Sequence, residues 1–182
     1  MNFSNLPKEL KLIINVFILT TSVFLTSCSK DNEDIDTFNE NEYELQLSHE
    51  EEKKLLQIDN VELSEKILEV INIYRKTKNL KPLVSNINAK KCALKHSNYM
   101  AENGEMNHYN FKDRSKTLII LENAEKTGEN VAFGYNTAKD LVNAWINSPS
   151  HKANIEGDFT NSGVGTIIDD NGTLYFTQVF FK

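Results

Sequence analysis

Cysteine occurs twice, proline three times, glycine seven times and tryptophan once in this chain of 182 residues. Two cysteines, Cys28 and Cys92, are too few for the disulfide framework of a small secreted scaffold. No internal repeat or low-complexity segment interrupts the C-terminal two thirds of the chain. The longest apolar stretch, Leu12 to Leu25, has 14 residues, short of the roughly 20 that a membrane-spanning helix needs. No basic run interleaved with aromatics is present, so the footprint of a nucleic-acid binder is missing, and nucleic acid is excluded as a partner.

What is present falls into three segments. Residues 1–27 have the build of an export signal, with Lys8 and Lys11 ahead of the apolar stretch. Leu25-Thr26-Ser27-Cys28 follows and resembles a bacterial lipobox, with Cys28 as the residue that receives the lipid. Acyl chains on Cys28 would tie the protein to a membrane at about 0.8 kcal/mol per buried CH₂. Residues 28–52 are read as a disordered tether. Ser29 to Glu52 holds ten acidic residues against one lysine, which favours an extended, self-repelling chain. Its run Lys30-Asp31-Asn32-Glu33-Asp34 resembles the acidic signals that send some lipoproteins to the cell surface; a plain spacer reads equally well. Residues 53–182 are expected to form one domain, with 17 basic and 15 acidic residues.

Within that domain Leu63, Ile67, Val70, Ile71 and Tyr74 mark one face of a helix that ends near Asn79. A second helix is predicted from about Asn86 to Asn103, closed by Gly104. A shorter one spans Ser115 to Ala124. A fourth starts at the N-cap Thr137 and buries Leu141, Val142 and Trp145. Ser148-Pro149 opens another short turn. Gly163–Ile168 and Leu174–Phe181 form a β-hairpin. Its last strand is apolar on both faces, with Phe176 and Phe180 on one and Tyr175, Val179 and Phe181 on the other. Such a strand is covered on both sides. The expected fold is α+β: a three-layer α-β-α sandwich around a central antiparallel sheet. Cys92, among Ala89, Ala93 and His96 at helical spacing, reads as a buried, inert thiol.

The histidines divide by context. His49 lies in the acidic tether, and His96 on an inner helix face, where a packed histidine is the ordinary outcome. His108 and His151 sit in polar loop or helix-start surroundings, with Glu129 between them in Gly128-Glu129-Asn130-Val131-Ala132. If the three meet, two imidazoles and a carboxylate suit a divalent metal such as zinc. Alternatively the carboxylate only orients one histidine. Ser150, beside His151, is a weak nucleophile candidate, because sequence neighbours rarely present side chains to each other. No Gly-x-Ser-x-Gly or His-Glu-x-x-His pattern supports it.

Five ordered blocks then carry a family resemblance: His96-Ser97 with Met100-Ala101 and His108; Gly128 to Ala132; Trp145 to Ile155; Phe159-Thr160 with Gly163-Val164-Gly165; and Tyr175 to Phe180. Residues from about Val61 to Phe181 resemble the bacterial branch of the CAP superfamily of cysteine-rich secretory, antigen 5 and pathogenesis-related proteins. The resemblance implies the same sandwich and a cleft of two histidines and two acids. His108, Glu129 and His151 match three of these. The second acid would fall where Asn147 and Ser148 stand, so a mechanism that requires two carboxylates is in doubt. Asn130, Asn154 and Gln178 are expected to satisfy backbone groups around the cleft. The leading expectation is a lipid-anchored cell-envelope module that is not an enzyme. It would bind a divalent ion through His108, His151 and Glu129 and take a lipid, glycan or protein ligand. The alternative is a metal-dependent hydrolase of peptide or cell-wall material.

Overall fold

A computed structural model describes the backbone of residues 40–182 and the side chains from Ser48 onward. The expected signal, Cys28 and the first part of the tether lie outside the described residues. Ten elements follow in order: α1 (Glu40–Ile58), α2 (Val61–Thr77), β1 (Val84–Ser85), α3 (Ile87–Asn103), α4 (Phe111–Glu122), β2 (Thr127–Phe133), α5 (Ala138–Asn147), α6 (Pro149–Ile155), β3 (Asn161–Ile168) and β4 (Leu174–Phe181). None of the described helices is long and apolar enough to cross a membrane.

The sheet has the order β1-β3-β4-β2. β3, β4 and β2 are antiparallel neighbours, while the two residues of β1 add a short parallel pair, Val84 with Asn161 and Ser85 with Ser162. The alternation expected in β4 sorts the two cores. Phe176 and Phe180 meet Ile67 and Ile71 of α2, Leu141, Val142 and Trp145 of α5, and Ile155 of α6. On the opposite face Val179 and Phe181 meet Ala89, Cys92 and Ala93 of α3 and Leu118 of α4, and Tyr175 meets Met100. Residues 40–182 therefore form an α-β-α sandwich.

Close approach of α3 to β3 depends on glycine. A Cβ at Gly163 would overlap the backbone of Ala89 and Lys90, and one at Gly165 that of Ala93 and Leu94. With the helix this near, Ser97 Oγ donates to the carbonyl of Gly165 at 2.9 Å. The caps follow the sequence. Asn86 Oδ1 accepts from Ala89 N, Thr137 Oγ1 accepts from Asp140 N, and Gly104 closes α3 at φ 62°.

The acidic segment departs from the expected tether, because Glu40–Ile58 is one helix. Glutamate is a good helix former once its charge has partners. Glu52 supplies the link, with Lys91 Nζ at 2.8 Å and Lys95 Nζ at 3.3 Å on α3. At the α1–α2 corner, buried Asp59 accepts from Ser64 Oγ at 2.9 Å and Thr166 N at 3.1 Å, and pairs with Lys90 Nζ at 2.8 Å. The compact unit accordingly begins at Asn39 and runs to Lys182.

Arg75, 2 % exposed, fixes the segment that follows α6. Its guanidinium donates to the carbonyls of Lys81, Ile155, Gly157 and Phe159 at 2.7 to 3.2 Å. One cation thereby satisfies four carbonyls of irregular backbone, which would otherwise be costly to bury.

Candidate functional site

β2 is an edge strand, and the site is built around it. Alternation along a strand sends Glu129 toward α3 and α4, and Gly128 and Asn130 toward α6. Glu129 is 6 % exposed. Burial of a carboxylate demands partners, and Arg114 of α4 provides two of them. Its Nε donates to Oε2 at 2.7 Å and its Nη2 to Oε1 at 2.9 Å, a two-point contact. The third is His108, whose Nδ1 lies 2.8 Å from Oε1. An ionised carboxylate only accepts, so Nδ1 carries a proton, and in the neutral ring Nε2 is the nitrogen left with a lone pair. The imidazole is half exposed, with Nδ1 tethered to the buried acid.

Arg114 also donates from Nη1 to the carbonyl of Tyr109 at 2.7 Å, which holds the loop bearing His108. That loop reaches α4 through Asn110, at φ 55°, in the left-handed region that asparagine tolerates. The helix thus starts one turn before the expected Ser115, and this extra turn carries Arg114. Across the same loop His96 Nε2 donates to the carbonyl of Asn107 at 2.7 Å, and burial lowers the pKa of His96.

His151 arrives from the other layer. Its ring sits 6.3 Å from the Trp145 ring, tilted by 44°. It lines a groove of 250 Å³ with Met106, Val131, Phe133, Tyr135 and Ser148. Burial, then the charge of His108, lowers its pKa. The asparagines hold it in place. Asn130 Nδ2 donates to the carbonyl of His151 at 3.1 Å, and Asn154 Nδ2 to the carbonyl of Glu129 and to Asn130 Oδ1, both at 2.9 Å. Trp145 Nε1 donates to the carbonyl of Val131 at 3.2 Å. The outward carbonyls of the edge strand are in this way closed by α5 and α6.

Of the residues singled out in the sequence, the structure joins His108 to Glu129 directly and places His151 where it senses the charge of His108. Asn130 and Asn154 bond the site's own backbone. Gln178, opposite Asn130 in register, donates to Ser162 Oγ at 3.0 Å, within the sheet. The Ser150 hydroxyl lies 3.4 Å from that of Ser148, facing it instead of an imidazole. Asn147 ends α5 and Ser148 caps it, so no carboxylate stands at that corner. Cys92 is buried, and burial raises its pKa.

Among the described residues no group of three His, Cys, Asp or Glu side chains is arranged to hold a metal ion. Both oxygens of Glu129 are engaged by Arg114 and His108. The donor set open to a cation is therefore His108 Nε2 and the His151 ring, with Glu129 behind His108. Nothing in the sequence alone pointed to Arg114. The available signal was the buried acid in Gly128-Glu129-Asn130, which required a cation from an element packed on the same face.

Comparison with known proteins gives these residues a context. The profile of the cysteine-rich secretory protein family, CAP, matches residues 68–180. The uncharacterized protein YkwD of Bacillus subtilis is 31% identical over 123 residues, which is 64% of this chain and 46% of that protein. The chain thus spans less than half the length of that relative. An outer surface protein from Borrelia burgdorferi superposes with a TM-score of 0.62 at 27% identity, over 69% of this chain and 96% of that one. An extracellular protein with an SCP domain from Bacillus anthracis gives 0.59 at 27% identity, over 71% of this chain and 43% of that one. The sandwich and the family profile agree: this chain belongs to the CAP family of cysteine-rich secretory proteins.

Proposed function

We propose that this protein is an extracytoplasmic CAP-domain module, held to a bacterial membrane through a lipid on Cys28. In this reading it is a binding protein, not an enzyme. The names of the similar proteins from Borrelia burgdorferi and Bacillus anthracis, outer surface and extracellular, support the location. The lipobox supports the anchor.

Its cleft would take a divalent ion such as zinc through His108 Nε2 and His151. The observation that carries this is the 2.8 Å contact of His108 Nδ1 with Glu129. A carboxylate on the far nitrogen fixes the tautomer and the ring direction and raises the basicity of the free nitrogen, as second partners of metal-bound histidines do. Two imidazoles make a weak and open site, so a bound ion would offer free positions to the donor atoms of a lipid, glycan or protein ligand. Glu129 holds His108 and is itself held by Arg114. With both oxygens engaged, it is poorly placed to take a proton from water, which favours binding over hydrolysis.

The test is calorimetry with Zn²⁺ on residues 39–182, beside the His108→Ala/His151→Ala variant. Saturable binding in the first and none in the second is expected. Equal heats from both, or none from either, would remove the cleft as a metal site. The anchor has its own test in radiolabelled palmitate uptake by the full chain and its Cys28→Ser variant.

A further inference from the structure

The last turns of α4 carry three consecutive aliphatic side chains in water: Ile119, 53 % exposed, Ile120, 66 %, and Leu121, 57 %. The core does not need them, since Leu118 alone enters it from this turn. Exposed apolar clusters of this kind mark contact surfaces more often than accidents. Helical spacing puts Lys112 and Lys116, both exposed, on the same face as Ile119 and Ile120. The acids beside it are Asp113, one step round the helix, Glu122, bonded to Asn88 Nδ2 at 2.5 Å, Glu125 just past the end of α4, and Glu52 of α1, which is paired with Lys91 and Lys95.

We infer that this face of α4 rests on an anionic lipid surface. The charge pattern selects the occupant. Two lysines one turn apart, beside an aliphatic ridge, can bury their stems with the ridge while their ammonium groups meet phosphate oxygens. The position of this face agrees with the proposed anchor, on which the physiological setting, though not the binding itself, rests. Glu52 of α1 and Leu121 of α4 border one groove of 390 Å³ on the same side of the sheet. The start of α1 is twelve residue steps from Cys28, a reach of about 40 Å when fully extended. A lipid at Cys28 would therefore keep the start of α1 within about 40 Å of the bilayer.

The experiment is sedimentation of residues 39–182 with vesicles of phosphatidylcholine alone or mixed with phosphatidylglycerol. Because this segment lacks Cys28, the outcome is independent of the anchor, and Zn²⁺ titration of the same sample tests the cleft separately. Two variants accompany it, Ile119→Asn/Ile120→Asn and Lys112→Gln/Lys116→Gln. All four positions are exposed, and circular dichroism checks that the fold is kept. The wild type should sediment with the anionic vesicles and not with the neutral ones. The isoleucine variant should bind roughly tenfold more weakly or worse, and the lysine variant roughly thirtyfold more weakly. Failure of the wild type to sediment, or unchanged binding by the isoleucine variant, overturns the inference. So does a wild-type dimer in analytical ultracentrifugation that the isoleucine variant makes monomeric, because a second copy would then own the face.

Discussion

Arg114 and Glu129 form a two-point ion pair behind the cleft, at 2.7 and 2.9 Å, with the carboxylate almost wholly shielded from water. His108 leans on the same carboxylate. The pair therefore sets where an exposed imidazole stands, although neither partner faces solvent as His108 does.

Removing one partner of this pair should cost far more than removing both. An Arg114→Met variant leaves the buried carboxylate with His108 as its remaining side-chain partner, and such orphaned charges typically cost about 3–5 kcal/mol. In Arg114→Met/Glu129→Met no charge is stranded, and much of that loss should return. Urea unfolding of the four proteins of the cycle measures it. Additive losses would mean that the pair is not coupled.

How much of this was legible beforehand depends on which signal each residue leaves. The helices around Leu63–Tyr74 and Ala89–Met100, and the last hairpin, were plain from periodicity, because each has one face in a core. β2 carries no strand signal in its sequence. Glu129 and Asn130 break its apolar alternation, and they do so because the site occupies its outer edge. The first turn of α4 escaped because Asn110 opens it from a left-handed conformation that leaves no cap signature. Residues 40–52 read as part of a tether because their acids are counted without Lys91 and Lys95, which lie some forty residues on. Arg75 and Arg114 were invisible as isolated cations; their roles exist only once the carbonyls and the carboxylate they meet are in place.

The single tryptophan provides a reporter of the cleft. His151 lies 6.3 Å from Trp145, and a protonated imidazole quenches a neighbouring indole. Burial and the charge of His108 hold the His151 pKa below the ordinary 6.5. Emission should stay level from neutral pH down to that value and fall only below it. His151→Gln should abolish the step. A step at or above 6.5 would contradict the burial described here.

Stability should fall on mild acidification. His96 and His151 both bind protons less readily in the folded state than in the unfolded one. The unfolded chain therefore takes up more protons once the pH drops below about 6.5, and the equilibrium moves toward it. Their contribution is complete above that value and is lost as the pH falls through the lowered folded-state pKa values. Urea midpoints between pH 7 and pH 5 should decline, and His96→Gln should flatten the slope. A slope unchanged by this substitution would exclude His96 as a source.

Gly163→Ala tests the seat of α3 on β3. The added methyl overlaps backbone at Ala89 and Lys90, which no rotamer change relieves. The expected loss is about 3 kcal/mol, the upper end for overpacking. Gly172→Ala is a useful contrast. Its Cβ would meet open space, and its strain comes from φ 83° alone, so thermal denaturation should separate the two. Equal melting temperatures for Gly163→Ala and the parent would contradict the close contact.

The most direct test of the central claim is imidazole nitrogen NMR of residues 39–182 during Zn²⁺ addition. His108 Nε2 and one nitrogen of His151 should move to metal-bound shifts. His108 Nδ1 should remain protonated against Glu129 throughout. Metal on Nδ1, or no change at either histidine with zinc in excess, would contradict it.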